Sequence, residues 1–577
     1  MVNLMINNKP VRVPDGSTIL EAARTAGINI PTLCFLKEIN EIAACRVCLV
    51  ELKGKDALVA SCNTKAEEGM EVFTNSRKVQ KARRMNVEMI LSRHNTNCTS
   101  CVRSGNCSLQ KLSNSLNIGK LPFKREYENR PWDREFPFIR NNSKCIQCMR
   151  CVQICEKVQS LGIWDIVNTG ARTGVDVAGS KPITETSCAI CGQCVTHCPV
   201  GALHERDDVE KLMDAIADPD KIVVVQVAPS VRSAWGEGLD LPEELATEKR
   251  MAAAIRALGV DYVFDTNFAA DLTIMEEGSE FIERMTHPEK YQWPMFTSCC
   301  PGWVRFVKSQ YPDMTANLST AKSPQQMFGA VAKSYYAQIL DVDPERIYCV
   351  SIMPCIAKKM ECALPTMNDA GAGQDVDLAL TTRELDRALR YEMLDIKSLP
   401  EEEFDSPLGT GSGAGVIFGT TGGVMEAALR TAYYKLEGHN PDPDAFRVVR
   451  GPAGYKEAEV EIAGIKIKAA VVNGLGNARK LIEKVRNGEA EYHFVEVMSC
   501  PGGCVGGGGQ PIHDGTEMAA DRAHKLYSLD RNNKIRFSHE NLAVLDAYTN
   551  YFGEPLSHKS HELLHTDHDA WKMPNQQ

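Results

Sequence analysis

Five cysteines in the second half of this 577-residue chain stand at or just beyond the ends of apolar runs. Val495-Glu-Val-Met-Ser-Cys-Pro-Gly-Gly-Cys carries Cys500 and Cys504 into a glycine-rich stretch, Trp293-Pro-Met-Phe-Thr-Ser-Cys-Cys carries Cys299 and Cys300, and Tyr348-Cys-Val-Ser-Ile-Met-Pro-Cys carries Cys355. Short apolar runs of this kind read as buried strands. Open α/β folds bind their ligands at the carboxyl ends of such strands. Three strands that each finish in a thiol therefore predict four sulfurs gathered at the carboxyl edge of a sheet, enough to hold an iron-sulfur cube. Neighbours on an extended segment point to opposite sides, so Cys299 and Cys300 are not expected to serve the same cube.

Fifteen of the 22 cysteines lie at or before Cys198. Cys34, Cys45, Cys48 and Cys62 contain a tight Cys-x-x-Cys flanked by two distant partners, and resemble the β-grasp ferredoxin module that holds a [2Fe-2S] cluster. Next come His94, Cys98, Cys101 and Cys107, spaced to fold one loop around one cluster with an imidazole in place of a thiolate. Taken alone, such a histidine is ordinarily a packing or surface residue. Cys145, Cys148, Cys151, Cys155 and then Cys188, Cys191, Cys194, Cys198 each have the bacterial ferredoxin spacing, in which the fourth cysteine of one run serves the other run's cluster. The expected sets are Cys145, Cys148, Cys151 with Cys198, and Cys188, Cys191, Cys194 with Cys155. Pro199 follows the second run as that pattern requires, whereas Glu156 follows the first. Sixteen ligands suffice for four one-electron centres in series, which describes a wire.

The length suggests several domains. A net charge of -10 leaves no electrostatic footprint for nucleic acid. Neither a secretory leader nor a run of about 20 apolar residues is visible, so a cytoplasmic protein off the membrane is expected. That compartment keeps thiols reduced, which favours metal over disulfides for these spacings.

The elements that must position these groups are legible in part. Residues 2–13 alternate like a hairpin around Asn7-Asn8-Lys9, and Thr18 and Glu21 form a capping box for the helix that follows. Residues 108–141, broken by Pro122, Pro131 and Pro137, read as an irregular connecting segment. Lys111, Lys120, Lys124 and Arg125 there fit a solvated linker better than a landing site for an acidic electron carrier. Strand patterns at 222–230, 262–264, 348–352 and 471–472 alternate with helical ones at 249–257 and 480–485. This predicts α/β organisation with both sheet faces covered.

Phe296-Thr-Ser-Cys-Cys-Pro-Gly-Trp, Met353-Pro-Cys-Ile-Ala-Lys-Lys and Glu496-Val-Met-Ser-Cys-Pro-Gly-Gly-Cys-Val-Gly-Gly-Gly-Gly-Gln-Pro resemble the three signature segments of the [FeFe]-hydrogenases. With the N-terminal cysteine pattern, the resemblance extends to the clostridial multi-cluster type and covers nearly the whole chain. It implies a multidomain α+β and α/β protein: a β-grasp [2Fe-2S] domain at 1–78, a His-ligated [4Fe-4S] domain at 79–125, a 2[4Fe-4S] ferredoxin-like domain at 126–209, and a two-lobed catalytic domain at 210–577. The His-and-three-Cys pattern at His94 is shared with that family and with the iron-sulfur subunit of respiratory complex I. Carried over by motif position, the cube ligands are Cys300, Cys355, Cys500 and Cys504. Cys504 would bridge to a two-iron unit bearing carbon monoxide, cyanide and a dithiolate, the whole being the H-cluster. One [2Fe-2S] and three accessory [4Fe-4S] clusters complete the set.

By the same resemblance, Lys358 and Ser230 would donate to the cyanides while Pro229, Met353 and Met498 form an apolar wall. Plain core packing for the methionines and a surface charge for Lys358 are the bland alternatives. Cys299 would exchange protons, followed outward by Glu280, Ser319 and Glu277, with Arg284 as outer neighbour. Glu277 and Glu280 share a helix face, which an exposed acidic face would equally explain. The implied activity is reversible interconversion of H2 with two protons and two electrons, with ferredoxin or a similar carrier as electron partner and maturation enzymes supplying the two-iron unit. Alternatives are the catalytic subunit of an NADH- and ferredoxin-coupled bifurcating complex with flavoprotein and ferredoxin-like partners, an electron-transfer subunit without hydrogen chemistry, and a slow hydrogen sensor. Two further motifs invite other readings. His561-Glu-Leu-Leu-His565 matches the zinc-protease string, but little chain remains for a third ligand except His568. The glycines at 409–423 and 474–476 lack dinucleotide-binding spacing. Cys349 and Cys362 are assigned no role.

Overall fold

The computed structural model describes residues 1–127, 129–451 and 453–576. Strands Val2–Ile6 and Lys9–Val13 pair antiparallel with Ile6 opposite Lys9, and the turn residues Asn7 and Asn8 have φ of 48° and 64°. Two left-handed residues between paired strands are what a two-residue hairpin with right-handed twist requires. The helix Ile19–Thr25 carries the expected capping box: Glu21 N donates to Thr18 Oγ1 at 3.2 Å, and Thr18 N donates to the Glu21 carboxylate at 2.8 Å. This part closes as a five-stranded mixed sheet.

Residues 108–141 are more ordered than their prolines suggested. Ser108–Ser115 is a helix with Leu109 and Leu112 buried, a short apolar stripe upstream of the first proline. Phe138–Arg140 pairs antiparallel with Leu203–Glu205, bracketing both ferredoxin-type cysteine runs. Each run turns through a left-handed residue, Met149 (φ 64°) or Gly192 (φ 73°), into a one-turn helix. Where Pro199 ends the second run, Glu156 keeps its backbone N–H, and the first run continues as a wide π-type turn over Ile154–Val158.

The C-terminal half contains two four-stranded sheets rather than the single sheet expected from three thiol-tipped strands. Tyr262–Asp265, Ile222–Val227, Ile347–Met353 and Leu378–Thr381 form one, all parallel, and Cys355 follows its third strand. Met295–Phe296, Phe494–Met498, Ile465–Asn473 and Tyr455–Ile462 form the other, and the remaining four thiols follow its first two strands. Apolar periodicity identifies a strand but not its partners, which are chosen by tertiary packing. In the first sheet Val224, Phe264 and Ile347 face one core with Phe328 and Tyr336. Val223, Val225 and Val263 face another with Met251 and Leu385. Both faces are thus covered, as parallel sheets require.

The long helix Asn267–Thr286 lies between these sheets and the C-terminal segment. Its fully buried Asp271 accepts from Ser412 N and Oγ, Ser538 Oγ and Asn541 Nδ2 at 2.5–2.9 Å. Among the described residues no helix is long and apolar enough to cross a membrane. Asp271→Leu removes the acceptor of four buried donors and is expected to cost on the order of 3 kcal/mol. Calorimetry should show a lower unfolding midpoint, and an unchanged midpoint would contradict this role.

Candidate functional site

The carboxyl ends of both sheets open onto one cavity. Cys299, Cys300, Cys355, Cys500 and Cys504 line it, together with Pro229, Ser230, Met353, Lys358 and Met498. The ten residues expected here from sequence are therefore brought together. Cys300 sits within 3.2 Å of Ser499 Oγ. Burial and the neighbouring Cys300 push the Cys355 thiol up to about 12, and burial with its cysteine neighbours also raises Cys500 and Cys504. Three neighbouring thiols that resist ionisation suit a cationic metal assembly, which favours the thiolates.

Two further observations fit a bound inorganic group. Ser230 is fully buried, and its hydroxyl has no protein partner among the described residues. The glycine run is pressed against its surroundings: a Cβ on Gly503 would lie 2.5 Å from Thr421 N, and one on Gly507 would lie 2.2 Å from Pro354 O. Lys358 is buried rather than a surface charge. Its Nζ donates to Glu361 Oε2 at 2.8 Å and to Cys299 O at 3.2 Å. Burial alone would lower the ammonium, but Glu361 overrides it and leaves Lys358 above its ordinary value. Sequence reasoning missed Glu361, although its i,i+3 spacing from Lys358 is a visible helical pairing. Nothing in the sequence marked Ser499.

The acidic residues are not an exposed helix face. Glu277, Glu280, Arg284 and Ser319 are all buried. The expected outward order is reversed, because Glu277 is the carboxyl whose charge acts on Cys299, while Glu280 pairs with Arg284 at 2.6 Å. Helical spacing alone could not tell which glutamate faced the cavity. Ser319 lies between them, donating to Glu280 Oε2 at 2.7 Å and close enough to Glu277 to favour its charged form. Burial, reinforced by the charge of Glu280, raises Glu277 to about 8.

The N-terminal candidates also gather in sets. Cys34 lies beside Cys45, and Cys48 beside Cys62. The charge neighbours of Cys145, Cys148 and Cys151 include Cys198, and those of Cys191 and Cys194 include Cys155 and Cys188. His94 Nδ1 donates to Lys144 O at 2.9 Å, Nε2 has no hydrogen bond among the described residues, and burial lowers the ring to about 4, so it is neutral. That is the tautomer a metal-binding imidazole adopts.

The peptides carrying these residues meet in a fork rather than a simple series. Asn40 Nδ2 donates to Cys34 O at 2.6 Å and Cys148 O at 2.8 Å. On the other prong, Arg103 Nη1 donates to Cys198 O at 3.1 Å, and Cys107 Sγ lies 3.9 Å from Pro199 O. Past the second quartet, Cys500 Sγ lies 3.7 Å from Cys191 O.

The zinc-protease reading fails on geometry. His565 accepts from Thr320 Oγ1 at 2.8 Å through Nδ1 and bonds Glu276 at 3.0 Å through Nε2, so both ring nitrogens are engaged. All 22 cysteines are unbridged. Cys349 is buried in the apolar core and Cys362 at its edge.

The profile described as iron only hydrogenase large subunit, C-terminal domain, matches residues 221–508, and that of the iron hydrogenase small subunit matches 516–571. Upstream, a 2Fe-2S iron-sulfur cluster binding domain matches 1–77, the NADH-ubiquinone oxidoreductase-G iron-sulfur binding region 83–122, and a 4Fe-4S dicluster domain 144–202. The NADP-reducing hydrogenase subunit HndD of Solidesulfovibrio fructosivorans is 46% identical, with 98% of each chain covered. Iron hydrogenase 1 of Clostridium pasteurianum is 40% identical over 98% of this chain and 99% of its own. An apo [FeFe]-hydrogenase structure from Chlamydomonas reinhardtii superposes with a TM-score of 0.57 at 42% identity, covering 64% of this chain and 99% of that one. Fold, site and relatives define an iron-sulfur oxidoreductase acting on hydrogen. The chain belongs to the iron-only, or [FeFe], hydrogenases, and it interconverts H2 with two protons and two electrons at an H-cluster.

A carboxyl raised to about 8 keeps in the folded state a proton that the unfolded chain has lost. Its contribution to stability therefore falls as pH rises from its unfolded value to its folded one. Glu277→Gln should flatten that fall in thermal melts from pH 5 to 9 while cutting H2 turnover by at least about tenfold. Wild-type turnover in this variant would remove Glu277 from proton transfer.

Proposed function

We propose that Cys300, Cys355, Cys500 and Cys504 hold the cube of the H-cluster, with Cys504 also bridging to the two-iron unit. The convergence of these thiols on one buried cavity is the observation that carries this reading. Lys358 and Ser230 would hold the two-iron unit's cyanides by donating to them, an ammonium and a hydroxyl suiting anionic acceptors. Pro229, Met353 and Met498 would exclude water. When bound, that unit supplies the open iron at which H2 is formed or split.

The protein's own share is to move protons. Burial raises the Cys299 thiol, so it carries a proton at neutral pH. Glu277, itself protonated at neutral pH, passes its proton through the Ser319 hydroxyl to Glu280 and is then reloaded from Cys299. Arg284 fixes the position of Glu280 at the outer end.

The four N-terminal sets would hold one [2Fe-2S] cluster at Cys34, Cys45, Cys48 and Cys62, and a [4Fe-4S] cluster at His94, Cys98, Cys101 and Cys107. Two more [4Fe-4S] clusters would use the quartets with their fourth cysteines exchanged. Electrons then have two entrances that join at the Cys145 set and continue through the Cys191 set to the cube. The modules fall at 1–78, 79–125, 126–209 and 210–577. Ferredoxin would be the electron partner, maturation enzymes would install the two-iron unit, and the unpaired thiols suit the cytoplasm. The full-length likeness to a subunit of an NADP-reducing hydrogenase favours a second reading, in which flavoprotein and ferredoxin-like subunits couple this chain to a nicotinamide pool.

Infrared spectra of matured protein should show metal-bound carbonyl and cyanide bands, and their absence would sink the H-cluster assignment. Cys299→Ala should keep all of its iron and those bands while losing most turnover, whereas unchanged activity would exclude the thiol from the proton route.

A further inference from the structure

Charge is segregated along this chain. Residues 77–125 contain eleven lysines and arginines and a single acid, Glu88, in a protein whose net charge is -10. Arg83 and Arg103 of these are buried, and the other nine are exposed. Residues 116–126, expected to be part of a solvated linker, instead lie along the helix Arg77–Ser92. Arg84 Nη1 donates to Leu116 O at 3.2 Å and Asn117 O at 3.3 Å, and Glu126 N donates to Ser92 O at 2.9 Å. Helix and segment therefore form one continuous face.

That face also exposes large apolar side chains between its cations. Met85 and Met89 on the helix are each 45% exposed, and Phe123 and Tyr127 on the segment are 41% and 46% exposed. Among the described residues Lys81, Lys120 and Arg125 have no ion pair, and Lys124 only a fully exposed one with Glu126, which holds it weakly. Exposed apolar side chains interspersed with unpaired cations are the composition of a transient docking site. The same segment contributes His94, Cys98, Cys101 and Cys107, and Cys98 and Cys101 are only half-buried.

We propose that this face, built from the helix Arg77–Ser92 and residues 116–127, docks an acidic one-electron iron-sulfur carrier beside the His94 set. The inference rests on the reading that ferredoxin is the electron partner, and it names the surface. The rest of the chain carries a surplus of about 20 negative charges, which repels an acidic carrier from other approaches and steers it here.

The test uses the matured enzyme and its K120E/K124E/R125E variant. H2 oxidation is measured with an acidic bacterial 2[4Fe-4S] ferredoxin, and separately with methyl viologen, a small dication that needs no docking face. The KM for ferredoxin should rise by about tenfold or more, and the loss of kcat/KM between about 50 and about 300 mM salt should flatten. Viologen turnover should stay at the wild-type rate. A ferredoxin kcat/KM within twofold of wild type overturns the proposal. Should viologen turnover also drop, K120Q/K124Q/R125Q carries the test under the same criteria. Wild-type enzyme that runs with viologen but not with ferredoxin overturns the partner reading and this surface with it, a failure distinguishable because it needs no mutation.

Discussion

The close backbone approach between the glycine run after Cys504 and the turn after Cys191 is the constraint on which the rest depends. A Cβ on Gly508 would lie 2.6 Å from Cys191 O, and one on Gly192 would lie 2.8 Å from the Gly508 Cα. Only glycine at both positions lets two backbones meet so closely. Electron tunnelling decays exponentially with distance, so this contact decides whether the ferredoxin-like sets and the catalytic cavity form one circuit. Side chains at either position would push them apart.

Buried ion pairs hold that contact. Arg383 donates to Glu205 and also to Gly508 O at 2.8 Å and Gln510 O at 2.6 Å, so one guanidinium ties the ferredoxin-like region to the glycine run. Lys359 is shared between Asp208 at 2.7 Å and Glu384 at 2.9 Å, with all three buried. Such pairs add little net stability, since desolvation offsets attraction. Losing one partner leaves a buried charge exposed to no water, and that penalty locks the register between the two halves.

Features that depend on local chemistry were legible in the sequence. The Asn7-Asn8 hairpin, the Thr18 capping box and the two ferredoxin runs are set by neighbours within a few residues. The family signatures located the cavity for the same reason. What was not legible depends on tertiary partners. Helix spacing puts Glu277 and Glu280 on one face but does not say that the face is buried, nor which carboxyl looks toward Cys299. Apolar runs announce strands ending in thiols, yet whether they share a sheet is decided by which lobe each strand joins. The prolines after residue 120 suggested a loose linker, and the packing of that segment on the helix Arg77–Ser92 depends on Arg84 reaching two carbonyls distant in sequence.

Thiols from two separate sheets converge on one cavity beside Cys191, where the proposal places one cubic cluster. Iron analysis with Mössbauer spectroscopy of protein made without the maturation enzymes, wild type against Cys355→Ala, tests it most directly. The variant should lose roughly four irons and one cubic spectral component, with the N-terminal centres intact. Equal iron and identical spectra in the two proteins would contradict it.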